Sequence, residues 1–322
     1  MSARRLDAED APLVKRLIAA YAFKPYRNYR LLPRRRQTAV LEAEVEALLA
    51  APGHIATVSG AGEDTAVAIG RALAWDTAFF GVPMARLDYV LRSGDGARSV
   101  YESAVDAFLA RCLATGLRHL SARLDVADSL GVAVLEERGF RLMDTLVTYV
   151  SHPKRQAPRH VKGVGTIRPF VPEDLEHILE ITRDAYRGFR GRFQLDPHLP
   201  RDRSDALYVE WARRCCDGGM ADRVYVADDG HGGLHGWSSV RLVEPVSTIG
   251  EVSVFAGSLG AVRPDRPGGY AALIGAAARD NHAAGALTEA QTQNHNFAMI
   301  RVLEAVGAQY ARAEYTFHAW LG

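Results

Sequence analysis

The sequence predicts an α+β protein made of two similar halves, each with a mixed, largely antiparallel sheet flanked by helices. A chain of 322 residues is long for one domain and comfortable for two. Strand-like and helical segments alternate in each half, and the same short motifs occur in the same order twice. The stretch 151–158 between them is polar, contains proline and lacks periodicity. We therefore expect one domain at 1–150, a linker at 151–165 and a second domain at 166–322.

The repeat rests on two sets of motifs, one at the start and one near the end of each half. Arg4 and Glu9-Asp10 recur, 164 positions later, as Arg168 and Glu173-Asp174. The run Leu135–Phe140 recurs, 168 positions later, as Leu303–Ala308. Loops absorb a difference of four residues easily, so the chain is interpreted as two copies of one fold. Each acidic pair caps a predicted helix, at Ala11–Ala22 and at Leu175–Tyr186.

Apolar periodicity predicts the remaining elements in chain order. The first half contains strands at His54–Ser59, Val67–Ala74 and Met84–Leu91, a helix at Val100–Thr115 and a strand at His119–Leu124. The second contains strands at Arg223–Ala227 and Gly236–Val243, a stretch at Glu251–Val262, a helix at Tyr270–Ala284, a strand at Leu287–Gln293, a helix from Asn296 and a strand at Tyr310–Trp320. The stretch Glu251–Val262 is either one bulged strand or a hairpin that turns at Ala256-Gly257.

Composition narrows the functional class. The chain is 48% hydrophobic and 24% charged, with a net charge of +1, which is typical of a soluble globular protein without general attraction to nucleic acid or acidic membranes. No run of about 18 apolar residues occurs, so no membrane span is expected. Three cysteines, at 112, 215 and 216, have no metal-ligand spacing. We expect a reduced cytoplasmic location and no metal.

The segment Arg266–Ala271 predicts a loop that binds a diphosphate. Two glycines after Pro267 let the backbone bend tightly and present N–H groups, and a helix from Tyr270 adds its positive N-terminal end. Arg263 and Arg266 add mobile positive charge. A plain Pro-Gly turn before a packed helix has the same composition, so the loop alone is weak evidence for a diphosphate site.

A second motif downstream makes the loop more specific. Arg266-x-x-Gly269-x-Ala271 resembles the R/Q-x-x-G-x-G/A coenzyme A loop of the GNAT superfamily of N-acyltransferases. The run from Asn296 to Gly307 resembles the next motif of that superfamily, where Asn precedes a helix ending in Tyr-Glu-x-x-Gly-Phe. Here Leu303 takes the place of the tyrosine and Ala308 that of the phenylalanine.

This resemblance implies tandem GNAT-like domains with acetyl-CoA or another acyl-CoA as co-substrate. The N-terminal copy is degenerate, because its loop Arg92–Ala97 places Asp95 where a phosphate would lie. Backbone N–H groups of a splayed strand near Leu259–Val262 should face the thioester. Asn296 either contacts the pantetheine arm or caps its helix. The cofactor-binding residues that the resemblance implies are Leu259, Ala261, Val262, Arg263, Arg266, Gly268, Gly269, Tyr270, Ala271, Asn294 and Asn296.

Other segments resemble the dTDP-fucosamine acetyltransferases. The segment Ala74–Pro83 is similar to their Trp-Asp/Glu-x-x-Phe-Phe-Gly segment, and Tyr315–Trp320 to the last strand of their relatives. The resemblance implies a nucleotide-linked amino sugar, or a close analogue, as acceptor. Packing in the core is the alternative for the aromatic residues. The acceptor residues implied on helices similar to theirs are Arg192, Phe193, Tyr208 and Trp211.

Amide formation needs a base for the amine and an acid for the leaving thiolate. Glu251 and His318 are the candidate bases, with a solvated strand end and a structural histidine as the alternatives. Because Leu303 cannot donate a proton, Tyr315 or Tyr310 is the candidate acid; otherwise water assists the thiolate.

The predicted function is an N-acyltransferase acting on the primary amine of a nucleotide-linked or natural-product amino sugar. Two alternatives stay open. Basic residues at Lys24–Arg36, with Tyr26 and Tyr29 among them, suit a carrier-protein or aminoacyl-tRNA donor, or else form a solvated connecting segment. Leu303 and the missing loop of the first half suit a non-catalytic acyl-CoA-binding protein. Assembly as a homodimer is also open.

Overall fold

The chain forms two compact units in a computed structural model that describes residues 3–93, 98–153, 165–266 and 268–322. Unit 1 comprises Met1–Thr145 with Ala313–Gly322, and unit 2 comprises Leu146–Arg312. Each unit thus includes part of a strand from the other half of the sequence, which the predicted domain ranges 1–150 and 166–322 place in the other domain. Most of the predicted linker, residues 94–97 of the first-half loop and Pro267 lie outside the described residues.

Unit 1 contains the first helices and strands of the chain. They are β1 (Arg4–Arg5), α1 (Ala11–Ala20), α2 (Arg34–Ala50), β2 (His54–Ala61), β3 (Asp64–Ala72), α3 (Ala74–Phe80), β4 (Met84–Arg92), α4 (Arg98–Ala114), β5 (His119–Asp125), α5 (Ser129–Glu137) and the start of β6 (Arg141–Ser151). From Leu146 onward, β6 belongs to unit 2.

Unit 2 repeats this succession of elements with one additional short helix, α7. They are β7 (Thr166–Pro169), α6 (Leu175–Ala185), α7 (Arg192–Leu195), α8 (Arg201–Cys216), β8 (Arg223–Asp228), β9 (Leu234–Leu242), α9 (Val246–Ile249), β10 (Val254–Val262), α10 (Gly269–Ala283), β11 (Leu287–Gln293), α11 (Phe297–Ala305) and the start of β12 (Gln309–Trp320). From Ala313 onward, β12 belongs to unit 1.

The two units have the same strand order and strand directions. In unit 1 the order is β1-β2-β3-β4-β5-β12, and in unit 2 it is β7-β8-β9-β10-β11-β6. One neighbouring pair in each unit is parallel, β4 with β5 and β10 with β11, and the other pairs are antiparallel. This confirms the prediction of a repeated α+β fold with a mixed, largely antiparallel sheet.

Helices cover the sheet faces of each unit because their apolar sides need burial. In unit 1, Tyr101 and Phe108 of α4 are fully buried in one cluster, and Leu17 of α1 packs with Leu41 of α2 in another. In unit 2, the fully buried Trp237 of β9 packs among residues of α6 and α8. The core therefore consists of separate clusters on the two faces of each sheet.

The stretch from Glu251 to Val262, which the sequence leaves undecided, is a bend followed by one strand. Glu251 lies in the bend with φ 54°, and β10 begins at Val254. The pairing of β10 with β9 shifts register between Gly257 and Gly260, which is a β-bulge. The bulged-strand alternative is therefore the one observed.

The repeated Arg–Asp motif forms the same contact in both units. In unit 2, Arg168 donates from Nη1 and Nη2 to the two carboxylate oxygens of Asp174, at 2.7 and 2.8 Å. The Val171 amide also donates to Asp174 Oδ2, at 2.9 Å. In unit 1, Arg4 donates to Asp10 at 2.7 and 2.6 Å. The hydrogen bonds from Arg168 lower the pKa of the Asp174 carboxyl, with the Val171 amide as a further cause.

We expect Asp174→Asn to destabilise the protein at pH 7 by about 1–3 kcal/mol, since hydrogen bonds to charged groups are lost. Folding lowers the pKa of Asp174, so the unfolded chain binds the proton more readily than the folded chain. The carboxylate therefore stabilises the fold above the unfolded-state pKa of about 3.9. This stabilisation is lost as pH falls through the folded-state pKa. Urea unfolding at pH 7 and pH 3.5 tests this. The gap between variant and wild type should narrow at the lower pH, whereas Asp184→Asn, at a more exposed carboxylate, should leave both values nearly unchanged. A gap that stays constant with pH would contradict the assignment.

Candidate functional site

The candidate site in unit 2 begins where β10 and β11 diverge. Their parallel pairing runs from Val254 opposite Leu287 to Ala256 opposite Glu289. On its other edge, β10 stays paired with β9 as far as Val262. Among the described residues, β10 is therefore paired along one edge only between Gly257 and Val262. Such a half-paired strand leaves amide groups for a ligand.

The bulge determines which amides face the open edge. The Arg263 N–H donates to the His235 carbonyl on the β9 side at 2.8 Å, and the Leu259 N–H donates to Ser239 Oγ at 3.1 Å. Amides alternate in direction along a strand, so those of Gly260 and Val262 point to the open edge.

The predicted donors are therefore divided between the two edges of β10. Val262 points its amide to the open edge, whereas Leu259, Ala261 and Arg263 point theirs toward β9. Gly260 lies within the predicted stretch Leu259–Val262 but is not among the cofactor-binding residues named from the sequence. Its direction depends on the bulge, and the sequence signal for it, a glycine one residue after a Ser-Leu pair, is too general to locate a bulge.

The loop after β10 has the backbone form expected of an anion site. Gly268 is the N-cap of α10 with φ 91°, a left-handed conformation that suits glycine. The first N–H groups of a helix have no carbonyl partner within the helix, so this end of α10 offers the amides around Tyr270 and Ala271. Gly269 is buried, and its own amide makes a long contact of 3.3 Å with the Arg266 carbonyl.

The side chains of the two predicted arginines of the loop differ in how firmly the protein holds them. Arg263 donates from Nε to the Leu234 carbonyl at 3.0 Å, and its Nη2 lies 3.4 Å from Glu180. Arg266 is exposed, with Nε 3.6 Å from the neighbouring Asp265 carboxylate. Arg266 is thus the better placed of the two to move toward an anion.

Of the two asparagines predicted to contact the pantetheine arm, Asn296 has its side chain engaged within the protein. Asn296 caps α11, since its Oδ1 accepts from the Met299 N–H at 3.2 Å and its Nδ2 donates to Thr292 Oγ1 at 3.0 Å. Its polar atoms are engaged, which favours the capping alternative. Asn294 is exposed at the end of β11. Leu303 is 1% exposed and packs in an apolar cluster with Met299.

Four aromatic side chains, Tyr186, Phe189, Tyr208 and Trp211, form what we call the aromatic wall beside the bulge. The Tyr186 and Tyr208 rings are stacked at 4.1 Å, and those of Tyr208 and Trp211 are parallel at 6.3 Å. Trp211 Nε1 donates to Ser258 Oγ at 3.3 Å, and the Tyr186 hydroxyl donates to the Gly260 carbonyl at 3.1 Å. The predicted acceptor residues Tyr208 and Trp211 are thereby linked to the half-paired part of β10.

The other two predicted acceptor residues lie on the short helix α7. The Arg192 guanidinium carbon is 4.2 Å from the centre of the buried Phe193 ring. The Phe193 carbonyl accepts from Ser204 Oγ of α8 at 3.1 Å. Helix α7 is therefore tied to the helix that contributes Tyr208 and Trp211.

The Tyr270 side chain lies over Gly260. A Cβ added to Gly260 would lie 2.9 Å from the Trp237 carbonyl oxygen and 3.0 Å from the Tyr270 hydroxyl, so only glycine fits. Burial raises the pKa of Tyr270 to about 12. Burial also raises the pKa of Tyr186, with Tyr270 and Tyr208 as smaller causes.

The predicted catalytic residues do not all belong to the same unit. Tyr315 and His318 lie on the part of β12 in unit 1, opposite Leu124 and Ser121 of β5. His318 is 1% exposed, and its ring meets that of His119 edge to face at 4.5 Å. Glu251 is in unit 2, exposed in the bend before β10. Tyr310 is also in unit 2, 6.0 Å from Tyr149 between ring centres.

In unit 1, strands β4 and β5 diverge as β10 and β11 do in unit 2, and an ion pair lies across the gap. Among the described residues, β4 pairs with β5 only from Met84 to Leu87, and farther along Arg92 Nη2 lies 2.9 Å from Asp128 Oδ1. The Arg92 guanidinium also lies 5.2 Å from the ring centre of Tyr101 and 5.8 Å from that of Phe23. Asp128 precedes Asn296 by 168 positions, the interval of the sequence repeat. Protein side chains thus occupy the end of this gap in unit 1.

The Phe-Phe-Gly segment of the acetyltransferase resemblance forms helix α3 in unit 1. The Trp75 and Phe79 rings stack at 5.5 Å, and Phe80 is buried. Gly81 ends the helix with φ 71°. The segment is therefore a compact helix with a glycine C-cap.

Part of the basic Lys24–Arg36 segment is used inside unit 1. Lys24 is 9% exposed and donates to the Ala19 and Tyr21 carbonyls at 3.0 and 2.7 Å. Arg27 pairs with Asp125 at 2.6 Å, and Arg34 begins helix α2. These contacts leave fewer charges for a nucleic acid or carrier protein. In the described ranges, no helix is both long and apolar enough to span a membrane.

Comparison with known proteins identifies the fold. No family model matches the sequence. Among solved structures, a GCN5-related N-acetyltransferase from Sphaerobacter thermophilus aligns with a TM-score of 0.59 and 13% identity, over 99% of this chain and 95% of that one. A tandem GNAT protein from the clavulanic acid biosynthesis pathway aligns with a TM-score of 0.56 and 15% identity, over 100% and 98%. The chain has the GNAT fold in two copies.

One curated relative is similar in sequence. The spore coat polysaccharide biosynthesis protein SpsD of Bacillus subtilis (strain 168) is 28% identical over 160 residues. The match covers 48% of this chain and 50% of SpsD, so the chain spans about half the length of this relative.

Proposed function

We propose that the protein is a GNAT-type N-acyltransferase whose unit 2 binds acetyl-CoA or another acyl-CoA. Its acceptor is a primary amine, of a nucleotide-linked or natural-product amino sugar. The observation that carries the proposal is the half-paired end of β10 leading directly into the left-handed Gly268 and the N-terminus of α10. This arrangement suits a long ligand with an anionic diphosphate at one end and an amide-bearing arm at the other.

Each part of the donor meets a matching group. The helix N-terminus and Arg266 suit the diphosphate. The amides of Gly260 and Val262 suit the carbonyl groups of the pantetheine arm or the oxyanion that forms on the thioester. The ion pair of Arg92 and Asp128 in the corresponding gap of unit 1 favours donor binding by unit 2.

The aromatic wall and helix α7 support the acceptor class. Flat apolar rings suit the faces of a sugar or a nucleotide base, and Arg192 suits a phosphate. The wall is linked by Trp211 to the bulge of β10, where the thioester would lie. SpsD, described as a spore coat polysaccharide biosynthesis protein, agrees with a carbohydrate acceptor.

The reaction joins the acceptor nitrogen to the acyl carbon. The neutral amine attacks the thioester carbonyl, the C–S bond breaks, its electron pair goes to sulfur, and the amine loses one proton while the thiolate gains one. Holding the amine and thioester together contributes on the order of 7–11 kcal/mol in favourable cases. The exposed Glu251 is the unit 2 candidate for accepting the amine proton through water.

A non-catalytic acyl-CoA-binding protein is the second candidate, and the buried Leu303 favours it. At this position the GNAT motif has a tyrosine, and here the side chain is 1% exposed in the core. Such a protein would bind the donor through the same loop without releasing thiol.

Calorimetric binding of acetyl-CoA and thiol release with a panel of amino sugars test the proposal together. We expect acetyl-CoA binding, and thiol release with at least one nucleotide-linked or antibiotic-type amino sugar. Binding without turnover on a broad amine panel would support the non-catalytic alternative. Absence of both binding and turnover would overturn the assignment of an acyl-CoA site.

A further inference from the structure

Two tyrosines from opposite sides of the sheet meet at Gly260, at the divergence of β10 and β11. Tyr186, at the end of α6, donates its hydroxyl to the Gly260 carbonyl at 3.1 Å. Tyr270, in the first turn of α10, places its hydroxyl 3.0 Å from the position of a Cβ on Gly260. Both phenols therefore lie beside the half-paired part of β10, where the proposed function places the thioester.

The two hydroxyls differ in what they bind. Tyr186 is engaged by the Gly260 carbonyl and stacks on Tyr208. Among the described residues, the Tyr270 hydroxyl has no hydrogen-bond partner, and burial alone raises its pKa. A phenol held at a ligand gap without a protein partner has a donor available for the ligand.

The position also meets a chemical need that Leu303 does not. Leu303 is buried in an apolar cluster and has no proton to give. Asn296, near the same gap, has both polar atoms of its side chain engaged. In unit 2, Tyr270 combines a transferable proton with a place beside the amides of Gly260 and Val262.

We propose that Tyr270 is a catalytic residue that donates the proton to the leaving coenzyme A thiolate. This inference rests on the proposed function of unit 2. As the C–S bond breaks, the electron pair goes to sulfur and the O–H proton of Tyr270 follows it. The amine proton, which Glu251 accepts through water before the adduct collapses, returns through water to the Tyr270 phenolate, so the products are one amide and one thiol. Tyr186 fixes the Gly260 carbonyl and thereby the strand on which this geometry depends.

Tyr270→Phe tests the assignment in the full-length protein. With acetyl-CoA and the best acceptor of the panel, kcat should fall roughly 100-fold, the lower end of general acid catalysis. The Kd for acetyl-CoA should change little, since the ring and the backbone amides are kept. The pKa of the thiol of bound coenzyme A, followed by thiolate absorbance, should rise by about one unit because a hydrogen-bond donor to the thiolate is lost.

Tyr225→Phe is the matched control. It removes another buried phenol of unit 2, whose hydroxyl donates to Asp280 of α10 at 2.9 Å, and should leave kcat and the thiol pKa as in wild type. Unchanged kcat and thiol pKa in Tyr270→Phe would overturn the assignment while leaving the proposed function standing. A higher Kd with unchanged kcat would also overturn it, since Tyr270 would then only help to hold the donor. If the wild type neither binds nor turns over acetyl-CoA, the proposed function itself fails, and this inference with it.

Discussion

Replacing Gly268 by valine is expected to weaken acetyl-CoA binding by roughly 5- to 150-fold. Gly268 has φ 91°, where a non-glycine residue costs about 1–3 kcal/mol. The substituted loop relieves this strain by leaving the left-handed conformation, which turns the amides of α10 away from the diphosphate. Restoring the bound form then costs the same energy, and each 1.4 kcal/mol is about tenfold in affinity. Titration calorimetry with acetyl-CoA measures the effect.

Gly285→Val separates loss of binding geometry from loss of stability. Gly285 has φ 71° just after the C-terminus of α10, and a Cβ there meets no atom within 4 Å. The backbone strain is similar, but the site is at the far end of the helix from the loop. We expect a comparable loss of stability, measured by hydrogen exchange of α10 amides, and unchanged affinity. Equal affinity losses in both variants would show that Gly268 acts through general stability and contradict the loop assignment.

Local sequence predicted the elements of the fold well because each depends on residues close together in the chain. The strand Leu287–Gln293 has its predicted bounds, and the Tyr270–Ala284 helix is displaced by one residue at each end. Apolar periodicity and helix-start signals are sufficient for features of this kind. The Arg–Asp motif that recurs in the sequence also forms the same ion pair in both units, a contact that the sequence analysis did not predict.

Which strands form the sheet of each unit depends on long-range contacts that local sequence patterns do not determine. Strand β12 begins in unit 2, yet from Ala313 it completes the sheet of unit 1. The sequence placed Tyr315 and His318 in the second domain because they follow the coenzyme A motifs in the chain. Antiparallel pairing with β5 depends on residues about 190 positions away, and strand propensity alone does not choose the partner.

The sequence predicted the backbone turn of the loop but not the directions of single atoms around it. The Gly268 conformation follows from glycine at a tight turn, which the sequence shows directly. The direction of the Gly260 amide depends on a bulge opposite Ser239, and a shift of one residue reverses every amide beyond it. The position of the Tyr270 hydroxyl depends in turn on how closely α10 approaches that strand.

Asp128→Ala is expected to destabilise unit 1 by about 3–5 kcal/mol, the usual cost of leaving one partner of a buried ion pair unpaired. The side chains of Arg92 and Asp128 are 11% and 2% exposed, and two hydrogen bonds of 2.9 and 3.3 Å join them. Asp128 also caps α5 by accepting from the Gly131 N–H at 3.1 Å. Hydrogen exchange of β4 and β5 amides measures the local stability of unit 1. A single melting temperature would not separate it from the stability of unit 2.

The double variant Arg92→Met with Asp128→Asn distinguishes the charge from the cap. Asparagine keeps an oxygen for the Gly131 amide, and methionine keeps apolar contact with Tyr101 and Phe23 without a buried charge. We expect the double variant to recover at least half of the stability lost in Asp128→Ala, because no unpaired charge remains. If it is as unstable as Asp128→Ala, the pair stabilises unit 1 by more than charge compensation. If the double variant does recover stability, the ion pair closes the gap in unit 1 with little net contribution to the free energy of folding. That result fits a structural role for unit 1.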